Sequence, residues 1–172
     1  VKRARDTRRT AVYEAETLVR RMFDVADLGD SRVVEVGGSH VTLPVERRFG
    51  SIDAAQRYVD AVLTLNWVRQ RWPRATIPVR VRARAGHTAA HYEHDSATIA
   101  LPERDGGDAW AFRELVVLHE LAHHLDPGEP DDLGEPGEPA HGSAFVDRFL
   151  ELVGEIIGPE AVFVLRMSGI TG

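Results

Sequence analysis

Val116 to Asp126 reads VVLHELAHHLD, and the types and spacing of its polar residues imply metal chemistry. In a helix, His119 and His123 stand at i and i+4, so both imidazoles project from one face and can grip a single zinc ion. Glu120 lies one residue along, where it can reach a metal-bound water while being badly angled for the same coordination shell. The implied reaction is hydrolysis by activated water, with Glu120 as general base. A catalytic zinc wants a third protein ligand and an open position. Candidates are His40, His87, His91, His94, His124, His141 and downstream acids. His124 is rotated about 100° from His123, which suits a supporting or surface contact rather than ligation. A third histidine six residues beyond His123 is absent, because Glu129 stands there. Glu151 and Glu155 fall well inside the next helix, and Glu135 and Glu138 in a loop. His141 is the preferred third ligand, since it opens the following helix beside Gly142; Glu138 is second. His94, then Tyr92, in the polar run GHTAAHYEHDS, are candidate catalytic donors to a developing oxyanion.

The elements that must position these residues can be read from periodicity. Residues 7–23 predict a helix, with Val12, Ala15, Leu18, Val19 and Met22 on one face. RVVEVGG-SHVTLP predicts a hairpin around Gly37, Gly38 and Ser39. Ser51 is expected to cap a helix that carries Ile52, Ala55, Val59, Val62 and Leu63 and stops at Trp72-Pro73. Residues 77–85 alternate, with Val79, Val81, Ala83 and Ala85 on one face and Arg80, Arg82 and Arg84 on the other. A second strand, Ala97–Leu101, is expected at a sheet edge, where an extended peptide could pair with it. After a turn at Asp105, Asp108 is expected to cap the metal helix, whose apolar positions begin at Trp110 and which Asp126-Pro127-Gly128 ends. Residues 127–140 predict a loop, followed by a helix to about Gly158 that buries Phe145, Phe149, Leu152 and Ile156. Pro159 opens a last short helix through Met167. The fold class is α+β, a single domain over residues 1–172, with a short mixed sheet before the metal helix and helices after it.

With 172 residues, 43% hydrophobic and 28% charged, the chain has the composition of a globular domain with a real core. No apolar run approaches the ~20 residues of a membrane span, and the absence of cysteine excludes disulfides and thiolate ligands. The basic opening VKRARDTRR has no signal-like apolar run behind it, and cytoplasm is the default location. The net charge of −6 is unevenly laid out: residues 1–9 hold five Lys/Arg against a lone Asp, and 126–138 holds six acids and no base. The acidic loop would favour basic peptides and could gate a cleft.

HELAHH at 119–124 followed by HGSAF at 141–145 resembles the metal motifs of the SprT-like zinc metalloproteases, within the broader zincins. That resemblance implies a zincin-like domain in which His119, His123 and His141 hold Zn2+, Glu120 is the catalytic acid and Phe145 a packing aromatic. Over nearly its full length the chain is similar to a small family of metallohydrolases from actinobacteria and their phages, with the opening RD-x-x-R-x-x-VY-x-AE at Arg5 to Glu16. It lacks the cysteine-based zinc ribbon common among SprT-like proteins. The leading expectation is a zinc peptidase acting on a peptide or protein. The alternatives are an amidohydrolase acting on a small non-peptide substrate and a nucleic-acid-associated module that uses Arg80, Arg82 and Arg84. The oligomeric state is left open.

Overall fold

A computed structural model of the chain describes residues 6–86, 88–102, 109–127 and 140–171. It is a small α+β protein with a mixed sheet followed by helices, and it divides into two compact units. One unit comprises Val1–Glu46 and Glu129–Gly172, the other Arg47–Gly128.

In the first unit, helix α1 spans Arg9–Leu28. Its buried seam is Val12, Ala15, Val19, Phe23 and Ala26, spaced by three or four. Leu18, expected on that face, is 44% exposed, because the seam turns towards Phe23. No breaker follows residue 23, so the helix runs on to Gly29, whose N–H bonds Val25 O at 3.0 Å. Strands β1 (Val33–Val36) and β2 (Ser39–Thr42) pair antiparallel through the two-residue turn Gly37-Gly38. Both glycines have positive φ, +57° and +78°, which is the demand of a type I′ hairpin turn. Ser39 therefore begins the strand instead of sitting in the turn. Helix α5 (Ser143–Ile156) follows Gly142 and buries Phe145, Phe149 and Leu152, with Val146 and Val153 beside them. Helix α6 (Pro159–Met167) opens on proline as expected and packs against α5 and α1.

In the second unit, Ser51 accepts the Ala54 N–H at 3.1 Å and caps α2 (Ile52–Thr64). The expected single helix to Trp72 is interrupted at Leu65, whose backbone is extended, and resumes as α3 (Asn66–Arg71). Trp72 is extended before Pro73, where proline disfavours helix in the preceding residue. A 3-10 turn, Pro73–Thr76, leads to the sheet.

Strands β3 (Arg80–Arg84), β4 (His91–Glu93) and β5 (Thr98–Pro102) lie in the order β3-β5-β4. β5 runs parallel to β3 and antiparallel to β4. This corrects the expected edge: β5 occupies the centre, all five of its residues are buried, and both its sides are paired. The alternation of β3 also holds only in part. Val79 and Val81 are buried, whereas Ala83 is exposed and Arg82 and Arg84 are half-buried through pairing with β4 side chains.

Helix α4 (Glu114–His124) packs against β4, β5 and α2. It starts later than expected, with Trp110 in the preceding turn. The cause is an extended pairing of the two approaches: Phe49 N–H bonds Phe112 O at 2.9 Å and Glu114 N–H bonds Arg47 O at 3.1 Å. The cap expected at Asp108, the turn at Asp105 and most of the 127–140 loop, Glu129, Glu135 and Glu138 included, lie outside the described residues. Among the described residues, no helix is long and apolar enough to cross a membrane.

Candidate metal centre

Helix α4 is buried on nearly every side, from Glu114 through Ala122 and again at His124, so its polar residues need partners. Both ends are pinned. At the start, the Glu114 carboxylate accepts Arg47 N–H at 2.7 Å, Arg47 Nη1 at 3.0 Å and the Tyr58 hydroxyl at 2.7 Å. At the end, Arg74 Nε donates to His124 O at 2.8 Å, and the His124 ring bridges the Tyr92 hydroxyl at 2.8 Å and Ile77 O at 3.1 Å. A helix fixed at both termini holds the side chains between them in place.

Between those anchors stand His119 and His123, with Nε2 atoms 3.2 Å apart. Tetrahedral zinc with Zn–N bonds of about 2.0–2.1 Å places two ligand nitrogens roughly 3.3–3.4 Å apart. The pair is therefore spaced as zinc requires. His141, in the first unit, stands just ahead of α5. All-imidazole donors suit zinc and other late first-row metals better than calcium or magnesium. Glu120, next to His119, is 3% exposed.

Sequence reasoning missed what holds His141. Asp6, just ahead of α1, places Oδ2 2.6 Å from His141 Nδ1. The Tyr13 ring lies 5.3 Å from the imidazole, and Phe145, the expected packing aromatic, meets it edge-on at 4.9 Å. A signal for Asp6 was present, as the lone acid among the basic residues 1–9.

The remaining candidates fall elsewhere. Tyr92 is engaged with His124 and Arg74, and burial raises its pKa. His94 is exposed in the turn after β4, with its ring set edge-on to Tyr92. His124 is wholly buried; burial first, then the Arg74 cation, lowers its pKa to about 4 and keeps it neutral. His91 lies between Arg84, at 2.7 Å, and Glu93, at 3.0 Å. The hydrogen bonds to Glu93 from His91 and then Arg82 bring that carboxyl down to about 2. Arg82 and Arg84 are thus committed to partners within the sheet, and Arg80 is the exposed member of the expected arginine face. His40 is exposed on β2, 4.0 Å from Glu35. Glu151 and Glu155 lie on α5, and His87 and Glu138 outside the described residues.

Comparison of the chain with protein-family models, with curated proteins and with solved structures gives no match. This corrects the assignment to the SprT-like zincins and to the actinobacterial and phage metallohydrolases. The three histidines as a set, with the third eighteen positions after the second (141 against 123), do not have the spacing of the zincin motif. A short string on a helix specifies that two imidazoles share a face, and it carries no information about the surrounding fold. The surviving statement is chemical: two imidazoles on one helix face, spaced to share a metal ion.

Proposed function

We propose that the protein is a metal-dependent hydrolase, with zinc held by His119, His123 and His141 and with a peptide or protein as substrate. The supporting observation is the α4 histidine pair, whose two ring nitrogens already stand at zinc spacing. Bound zinc would lower the pKa of a coordinated water from about 15.7 towards ~7 and polarise a carbonyl. The chain's own residues supply the rest. His119 and His123 present nitrogens from a helix pinned at both ends, and His141 is held through its other ring nitrogen by Asp6. Glu120 is the base: its carboxylate takes the proton of the attacking water and returns it to the leaving amine. Three neutral nitrogen ligands would leave a coordination position for water, as hydrolysis requires and a four-ligand structural site does not provide. His94 is the proposed auxiliary donor to the oxyanion, since the single Tyr92 proton is committed to His124.

The test is metal analysis of chelated and reloaded protein together with a cleavage profile over a peptide library. One zinc per chain, with peptide cleavage lost in Glu120→Gln while the metal stays bound, is expected. Failure to retain zinc would overturn the metal reading. Cleavage by the Glu120→Gln protein within threefold of the parent would remove Glu120 from its role. A zinc-loaded protein that cuts no peptide would redirect the search to small amides.

A further inference from the structure

We infer that Asp6 is a positioning residue for the metal centre, so that the segment ahead of α1 is part of the machinery that retains the ion. The inference rests on the three-histidine reading above and concerns the second nitrogen of one ligand. A carboxylate only accepts hydrogen bonds, so at 2.6 Å the proton between the two groups belongs to His141 Nδ1. The other nitrogen, Nε2, is then left without a proton and carries the lone pair a metal needs. An imidazole without this partner can hold its proton on either nitrogen, and one of those tautomers cannot ligate through Nε2.

Three observations favour this role over a general tether for the chain terminus. His141 is 5% exposed and boxed by Tyr13 and Phe145, so its ring can tilt little, and the Asp6 bond fixes the remaining freedom. Oδ1 of Asp6 is buried and has no hydrogen-bond partner among the described residues, so His141 is the one that carboxylate serves. Asp6 and Tyr13 lie seven positions apart, one ahead of α1 and the other within its first turns, and both converge on the same imidazole. A carboxylate behind a ligating histidine orients the ring and raises its basicity, and its loss costs roughly 10–100-fold in metal affinity.

The experiment compares the parent, Asp6→Ala, Asp6→Asn and Asp6→Glu in two readouts. The first is zinc affinity by competition with a chromogenic chelator. The second is the His141 tautomer in metal-free protein, read from long-range 15N–1H correlations of the ring. Zinc binding weaker by about 10–100-fold in Asp6→Ala, partial recovery in Asp6→Glu, and loss of the uniform Nδ1–H signature are expected. Zinc affinity within twofold of the parent and an unchanged tautomer in Asp6→Ala would overturn the proposal. Should Asp6→Ala fail to fold, Asp6→Asn keeps the size and removes the charge, and the same two outcomes apply to it. A parent that binds no zinc overturns the metal reading and this proposal with it, whereas a parent that binds zinc with an affinity and a tautomer unmoved by the Asp6 variants overturns this proposal alone.

Discussion

The Tyr92 hydroxyl donates to Nδ1 of His124 across 2.8 Å, which assigns the His124 proton to Nε2, where Ile77 O accepts it at 3.1 Å. Both ring nitrogens of His124 are thereby used. The residue directly after a proposed ligand serves as an anchor for the helix end, with Arg74 holding its carbonyl from the other side. Replacing Tyr92 by Phe removes the donor and leaves a buried imidazole nitrogen unsatisfied. A loss of about 1–3 kcal/mol in unfolding free energy is expected, measured by urea denaturation of metal-free protein. An unchanged midpoint would show that water replaces the phenol.

The same burial gives a pH dependence. The pKa of His124 falls from its ordinary 6.5 to about 4 in the folded protein, so between those values the unfolded chain binds the extra proton. Stability contributed by neutral His124 is full above pH 6.5 and is lost progressively as pH drops towards 4. Thermal midpoints of metal-free parent and His124→Gln should therefore converge over that window. Parallel curves would mean that His124 takes no part in the acid limb.

How much of this was legible beforehand follows from range of interaction. The Ser51 cap, the Gly37-Gly38 turn, the stop before Pro73 and the proline start of α6 are local backbone chemistry, and the sequence displays them. That His119 and His123 share one helix face needed only helix periodicity. The central position of β5 was hidden, because strand order depends on pairings across the chain and a five-residue strand followed by proline reads like an edge. Asp6 lies 135 positions from His141, and no local pattern connects them. Family membership failed for a different reason: the resemblance leaned on short strings, and nothing over the length of the chain supports it.

Ala97 takes a left-handed backbone, φ +46°, to close the turn between β4 and β5, and its carbonyl accepts Arg80 N–H at 3.0 Å. A Cβ in that region costs about 1–2 kcal/mol, part of which glycine gives back through the entropy of the unfolded chain. Ala97→Gly is expected to stabilise by roughly 0.5–1 kcal/mol in chemical denaturation. A loss of stability would mean that the methyl group makes a contact worth more than the strain.

Glu114 is 1% exposed, while the Arg47 side chain is largely open to solvent, so the ion pair itself is screened. The Arg47 N–H and the Tyr58 hydroxyl carry the site. Glu114→Ala should cost about 2–4 kcal/mol, whereas Arg47→Ala, which keeps the backbone donor, should cost under about 1 kcal/mol. Equal losses in the two variants would place the energy in the salt bridge.

Metal and stability must be linked if the three histidines bind as a set. A ligand taken up by the folded state alone adds about 2.7 kcal/mol when its free concentration is 100 times Kd. Buffered zinc at that level should raise the unfolding midpoint of the parent, with each tenfold increase beyond it adding about 1.4 kcal/mol. His141→Ala should keep the two nitrogens on α4, 3.2 Å apart, and show a much smaller rise at the same free zinc. His40→Ala, which removes an exposed imidazole outside the cluster, is the control and should respond as the parent does. An equal rise in His141→Ala would show that the α4 pair binds zinc without the third histidine, and an equal loss of response in His40→Ala would show that the zinc effect is not specific to the cluster.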